Sequence, residues 1–94
     1  LFDNSLRGSV RVGVAYGSDC RLVKRLMRQA ADEHPQLLHT PPPTVLFQDF
    51  GDNALLFELF FWTEIQTPLD LLRVQSDLRF RLDALCRDHG VSIA

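Results

Sequence analysis

The side chains that could do chemistry in this 94-residue chain are few and do not converge. They are His34, His39 and His89, Cys20 and Cys86, Glu58, and a basic set at Arg21, Lys24, Arg25 and Arg28. A zinc site draws three or four Cys, His or carboxylate ligands from short, recognisable spacings. Here the histidines and cysteines are scattered and no such spacing occurs. His34 and His89 each stand at the end of a helical pattern, where an imidazole commonly bonds a free terminal carbonyl. Glu58 alternates with aromatic residues in an apolar run. A lone carboxylate with no titratable partner reads as a sheet-surface charge or half of an interface ion pair rather than as a catalytic acid. Gly17-Ser18-Asp19 precedes a helix, and free N–H groups at a helix start attract anions. Asp19 would repel an anion, so capping is the expected role. The expectation is a chain with no catalytic residue, no cofactor and no metal site, and so not an enzyme.

The basic residues occupy positions i, i+3, i+4 and i+7 of the first helical stretch. That spacing gathers them on one face, opposite the apolar stripe. The face is read as solvated, with ion or phosphate contact as the functional alternative.

The elements that hold these residues follow from hydrophobic period. Leu1 to Gly8 reads as a weakly structured lead-in. Val10, Val12 and Val14 alternate with Arg11 and Gly13, which is the period of a strand. After the Gly17 break, Leu22, Val23, Leu26, Met27 and Ala30 form a helical stripe that Pro35 stops. Gln36 to Pro43 is a connecting loop whose three prolines favour an extended path. Thr44–Ile65 reads as a hairpin turning at Gly51-Asp52-Asn53. Its second strand puts Leu55, Phe57, Leu59 and Phe61 on one face and Leu56, Glu58, Phe60 and Trp62 on the other. Thr67-Pro68 opens a second helix with Asp70 in its first turn. Its stripe is Leu71, Val74, Leu78, Leu82 and Leu85. Asp77/Arg81 and Asp83/Arg87 are expected i,i+4 pairs, and Phe80 falls opposite the stripe. Gly90 is the expected left-handed cap, and Val91 to Ala94 begins a last strand. The order β-α-β-β-α-β predicts an α+β, ferredoxin-like fold, an antiparallel sheet with two helices on one face. That arrangement leaves the Leu56, Glu58, Phe60, Trp62 face without cover.

Bulk properties set limits on these readings. Ninety-four residues make one domain. A net charge of −2 gives no general argument for binding nucleic acid or an anionic membrane. Two cysteines without a visible secretory signal fit a reducing compartment and buried thiols. The longest near-apolar run, Ala54 to Trp62, is far short of a membrane helix. The chain starts without Met and stops at Ala94, just inside the expected strand, so it is expected to be a segment of something larger.

Several strings occur in a telling succession. They are Val12-Gly13-Val14-Ala15-Tyr16-Gly17-Ser18-Asp19, His34-Pro35, Pro43-Thr44-Val45-Leu46-Phe47, Phe50-Gly51-Asp52, Phe57-Glu58-Leu59-Phe60-Phe61-Trp62, Ser76-Asp77-Leu78 and His89-Gly90-Val91. This succession resembles the cytoplasmic C-terminal domain of the small-conductance mechanosensitive (MscS) channel family, and Asn4-Ser5 with Arg7 resembles the exit from that family's preceding β domain. The resemblance implies a parent that is a homoheptameric channel on the cytoplasmic side of a bacterial inner membrane. Such a channel opens under membrane tension to release solutes in osmotic downshock. Residues 9–94 would be a vestibule and assembly domain with a truncated last strand, and residues 1–8 the exit from the β domain. Ions would pass through a pore made by helices upstream, which would also supply the only membrane contact, and the segment itself would be soluble, as a monomer or smaller oligomer. The set Leu56, Glu58, Phe60 and Trp62 would be an oligomer or domain interface. The set Arg21, Lys24, Arg25 and Arg28 would face solvent or the vestibule. Two rival readings stand beside this one. The first is a soluble ferredoxin-like regulatory or ligand-binding domain. The second is a nucleic-acid-binding domain using the basic face, against which Asp49, Asp52, Glu58 and Glu64 among the hairpin aromatics argue.

Overall fold

The computed structural model describes residues 5–94. The elements run β1 (Ser5–Val14), α1 (Cys20–Glu33), β2 (Thr44–Phe50), β3 (Leu55–Glu64) and α2 (Pro68–Asp88). The strands form one antiparallel sheet in the order β1-β3-β2. Beyond β1, the chain end adds the start of a fourth strand. Ile93 bridges Val14, Ala15 N–H donates to Ser92 O, and Ala94 N–H donates to Gly13 O. This is the α+β, ferredoxin-like arrangement expected from the element order.

One face of the sheet carries the core. Val10 and Val14 of β1, Val45 of β2, and Leu55, Phe57, Leu59 and Phe61 of β3 are all buried. Above them lie Val23, Leu26, Met27, Ala30 and Ala31 of α1 and Val74, Leu78, Leu82, Leu85 and Cys86 of α2. Each large side chain buried here contributes about 1.5–3 kcal/mol relative to exposure. The stripes read from periodicity are the ones that pack, with Leu22 and Leu71 half-buried at their margins.

Local chemistry sets the helix ends. Asp19 caps α1 by accepting from Leu22 N–H, and Ser18 Oγ donates back to Ala15 O. The Asp70 carboxylate accepts from Gln66 N–H and Thr67 N–H ahead of α2. Gly17 and Gly90 both have positive φ, at 92° and 71°, a region that side chains with a Cβ rarely enter. The hairpin loop closes with Gly51 N–H donating to Ala54 O. Tyr16, from the β1–α1 turn, donates its hydroxyl to Gly51 O and ties that turn to the hairpin.

Several expectations are corrected. Residues 5–8 are not a loose lead-in but the first part of β1, since Ser5 to Gly8 pair with Glu64 to Phe61; residues 1–4, with the Asn4 end of the family resemblance, lie outside the described residues. Gln36–Pro43 is not wholly a free loop. Leu37 is buried and bridges Thr63, Leu38 N–H donates to Trp62 O, and the buried Thr63 hydroxyl donates to Gln36 O. The segment satisfies the end of β3, where β2 no longer reaches. Asp77 and Arg81 do not pair with each other, because each finds a partner across the α1–α2 seam. Arg81 Nε lies 2.7 Å from Glu33 Oε1 and Asp77 Oδ2 lies 3.0 Å from His34 Nε2. Asp83 and Arg87 do pair, at 2.6 Å.

Candidate interface on the open sheet face

Among the described residues, the second face of the sheet has no helix over it. Along β3 it presents Leu56, Glu58, Phe60 and Trp62, as period 2 requires. The structure places Leu56 exposed, Phe60 and Trp62 half-buried, and Glu58 buried at 8%. A carboxylate loses hydration when it is buried and needs polar partners in its place. Glu58 has two. Gln48 Nε2 donates to Oε1 at 3.0 Å, and Arg11 Nε lies 3.5 Å from Oε2. The Arg11 side chain is 86% exposed, so water screens this pair and its contribution is small.

Both partners come from neighbouring strands, through register. Directly opposed residues of antiparallel strands share a face. Arg7 stands opposite Trp62, Ser9 opposite Phe60, Arg11 opposite Glu58 and Gly13 opposite Leu56. On the other side Thr44 opposes Phe60 and Leu46 opposes Glu58. Gln48 is the extra residue of a β-bulge, where the register shifts between Phe47 and Asp49. The Arg7 guanidinium carbon lies 5.6 Å from the centroid of the Phe60 ring, within cation–π range. Arg11, Gly13, Gln48, Leu56 and Glu58 bound a shallow hollow of about 520 Å³.

The face is therefore amphipathic: an apolar line along β3 is flanked by arginines from β1. Sequence reasoning missed Arg7, Arg11 and Gln48. The β1 arginines had a findable signal, since both alternate out of phase with Val10, Val12 and Val14. Gln48 had none, because a bulge decides its direction. Glu58, which the sequence presents as a sheet-surface charge or half of an interface ion pair, meets Arg11 within the chain.

The basic set sits elsewhere. Arg21, Lys24, Arg25 and Arg28 are all exposed on α1, away from the open face. Arg28 pairs with Asp32 at 2.9 Å. The other three make no ion pair among the described residues. The histidines do not gather. The His34 ring accepts from Gln36 N–H at Nδ1, leaving Nε2 to meet Asp77; among the described residues it bonds no carbonyl, contrary to the expectation for a helix-end histidine. His89 does as expected, with Nδ1 3.0 Å from Leu85 O. His39 is exposed. Cys20 is half-buried and Cys86 buried, both as free thiols. Burial, with Asp83 nearby, pushes the Cys86 thiol up and holds it neutral. Among the described residues, no group of three or more His, Cys, Asp or Glu is placed to hold a metal ion, and no helix is long and apolar enough to cross a membrane.

Comparison with known proteins fits this architecture. Residues 9–93 match the family model "Mechanosensitive ion channel MscS, C-terminal". The mechanosensitive channel MscK of Escherichia coli K12 is 38% identical over 94 residues, all of this chain but 8% of that protein. An MscS family protein of Haemophilus influenzae is 40% identical over the same 94 residues, again 8% of its length. The chain thus spans under a tenth of these two relatives. Among solved structures, Helicobacter pylori MscS in its closed state superimposes with a TM-score of 0.87 at 25% identity, covering 98% of this chain and 36% of that one.

Proposed function

Since the chain belongs to the MscS family of mechanosensitive ion channels, as its C-terminal domain, we propose that it is an assembly and vestibule module whose open sheet face is covered by a neighbouring domain or a second copy of the chain. The observation that carries this reading is the apolar line Leu56, Phe60 and Trp62, which no helix among the described residues covers. Under this reading residues 1–8 lead in from a preceding β domain. The parent is a homoheptamer that opens under membrane tension and releases solutes in osmotic downshock, with this domain on the cytoplasmic side. The domain itself carries out no catalysis; its contribution is to hold subunits in register.

The test is Phe60→Asp in the intact channel. A charge placed where Phe60 packs must be desolvated on assembly, which costs several kcal/mol unless it is paired. Oligomer yield after detergent extraction is expected to fall, with gating tension altered in whatever channels remain. A normal oligomer yield with unchanged gating would refute the assignment. For the isolated chain, sedimentation is expected to show concentration-dependent self-association that Phe60→Asp abolishes. A monodisperse monomer at high concentration tells against a second copy as the cover.

A further inference from the structure

A second unfilled surface lies along β2, between that strand and α1. Among the described residues β2 is the outermost strand and pairs only with β3. Among the described residues, the backbone of Thr44–Phe47 makes no hydrogen bond beyond the β3 ladder. Edge strands are normally blunted by proline, charge or a bulge. Here the prolines end at Pro43 and the bulge begins at Gln48. The four residues between them form an open template for another strand. Leu46 and Phe47 within it are 47% and 41% exposed.

The helix beside this edge supplies the wall of a groove. Two adjoining hollows, of about 230 and 300 Å³, share Lys24, Val45 and Leu46; Arg21 lines one and Arg28 the other. Two of the cations here, Arg21 and Lys24, differ from most others in the chain. Arg11, Arg28, Arg73, Arg81 and Arg87 each have a carboxylate within 4 Å. Arg21, Lys24 and Arg25 have none among the described residues. Unmatched positive charge thus lies beside unmatched backbone and exposed apolar side chains.

We propose that the β2 edge takes an acidic, extended peptide segment as an added strand. Main-chain hydrogen bonds to Thr44–Phe47 give affinity, and alternate side chains give specificity. On the α1 side of the sheet the guest's carboxylates face Arg21 and Lys24, and on the other side its alternate, apolar side chains lie beside Leu46. The α1 cations that select the guest lie off the proposed assembly face, which Thr44 and Leu46 of the strand border.

The experiment uses the ¹⁵N-labelled 94-residue chain and two capped heptapeptides, Thr-Val-Glu-Val-Glu-Val-Thr and its lysine counterpart. The acidic peptide is expected to shift the amide resonances of Thr44–Phe47 and to slow alkylation of Cys20, which lines the same groove, while the lysine peptide does neither. Lys24→Glu, at an exposed position, is expected to weaken binding about tenfold without changing the fold. The proposal is overturned by an absence of shifts at millimolar peptide, or by equal responses to both peptides. It is also overturned if a single-stranded RNA oligonucleotide displaces the peptide while shifting α1 alone.

Discussion

Gly8→Ala offers a sharp test of the packing. Gly8 lies in β1 opposite Phe61, and its backbone is ordinary strand. An alanine Cβ there would come within 2.8 Å of Phe61 Cζ and 2.8 Å of Leu71 Cδ1. Carbon atoms rest at about 3.5–4.0 Å, so each contact must open by about 0.7 Å or more. Leu71 is half-buried at the start of α2 and can swing. Phe61 is 0% exposed, and a close-packed interior leaves its ring nowhere to move. Overpacking of this kind costs about 1–3 kcal/mol. Against it stands about 0.4–1 kcal/mol gained by restricting the unfolded chain. The net expectation is a loss of about 1–2 kcal/mol. For a domain of this size that lowers Tm by roughly 5–15 °C. The assay is urea or thermal unfolding followed by circular dichroism, with the urea m value unchanged. Gly8→Ala combined with Leu71→Ala should show coupling, since removing the Leu71 methyl groups relieves half of the clash. A Gly8→Ala chain as stable as the parent or more so would refute the argument that Phe61 is immovable.

Other outcomes follow from the helix ends. Gly90→Ala forces a Cβ into φ 71° and is expected to lose about 1 kcal/mol by the same unfolding assay; no loss would mean that the cap rearranges freely. The Asp70 carboxylate is held below the usual aspartate range, chiefly by Gln66 N–H and then by Thr67 N–H. A lowered folded pKa contributes stability above the ordinary aspartate value, and this is lost as pH falls through the folded value. Asp70→Asn should therefore lower stability at neutral pH and flatten the acid limb of the stability–pH curve, measured by urea midpoints at successive pH values. Parallel curves for the two chains would refute the assignment.

Leu78, Leu82 and Leu85 show why the helices were readable from sequence. The 3.6-residue period that places them on one stripe is a property of the backbone alone, and any core must use it. The same holds for Leu55, Phe57, Leu59 and Phe61, whose period of 2 put them together on the buried face. Gly90 was legible for a similar reason, since a glycine just past a helical stripe commonly closes the helix with positive φ. The strings that resemble the MscS family lie along this framework, so family and fold were open to reading together. The seam ion pairs were not. Arg81 has Asp77 four residues before it on the same helix, yet it reaches Glu33 on the other, because only helix packing brings Glu33 close.

The candidate face divides in the same way. The sequence by itself determined that Leu56, Glu58, Phe60 and Trp62 share a side of β3, because alternation needs no neighbour. Only the tertiary structure decided what surrounds them. Strand register set Arg11 beside Glu58 and brought Arg7 over Phe60. A one-residue bulge turned Gln48 toward the carboxylate. The order β1-β3-β2 left Thr44–Phe47 on an open edge beside α1. Local periodicity is written residue by residue, whereas register, bulges and strand order arise from pairings between distant segments, which are chosen by the energy of the whole sheet.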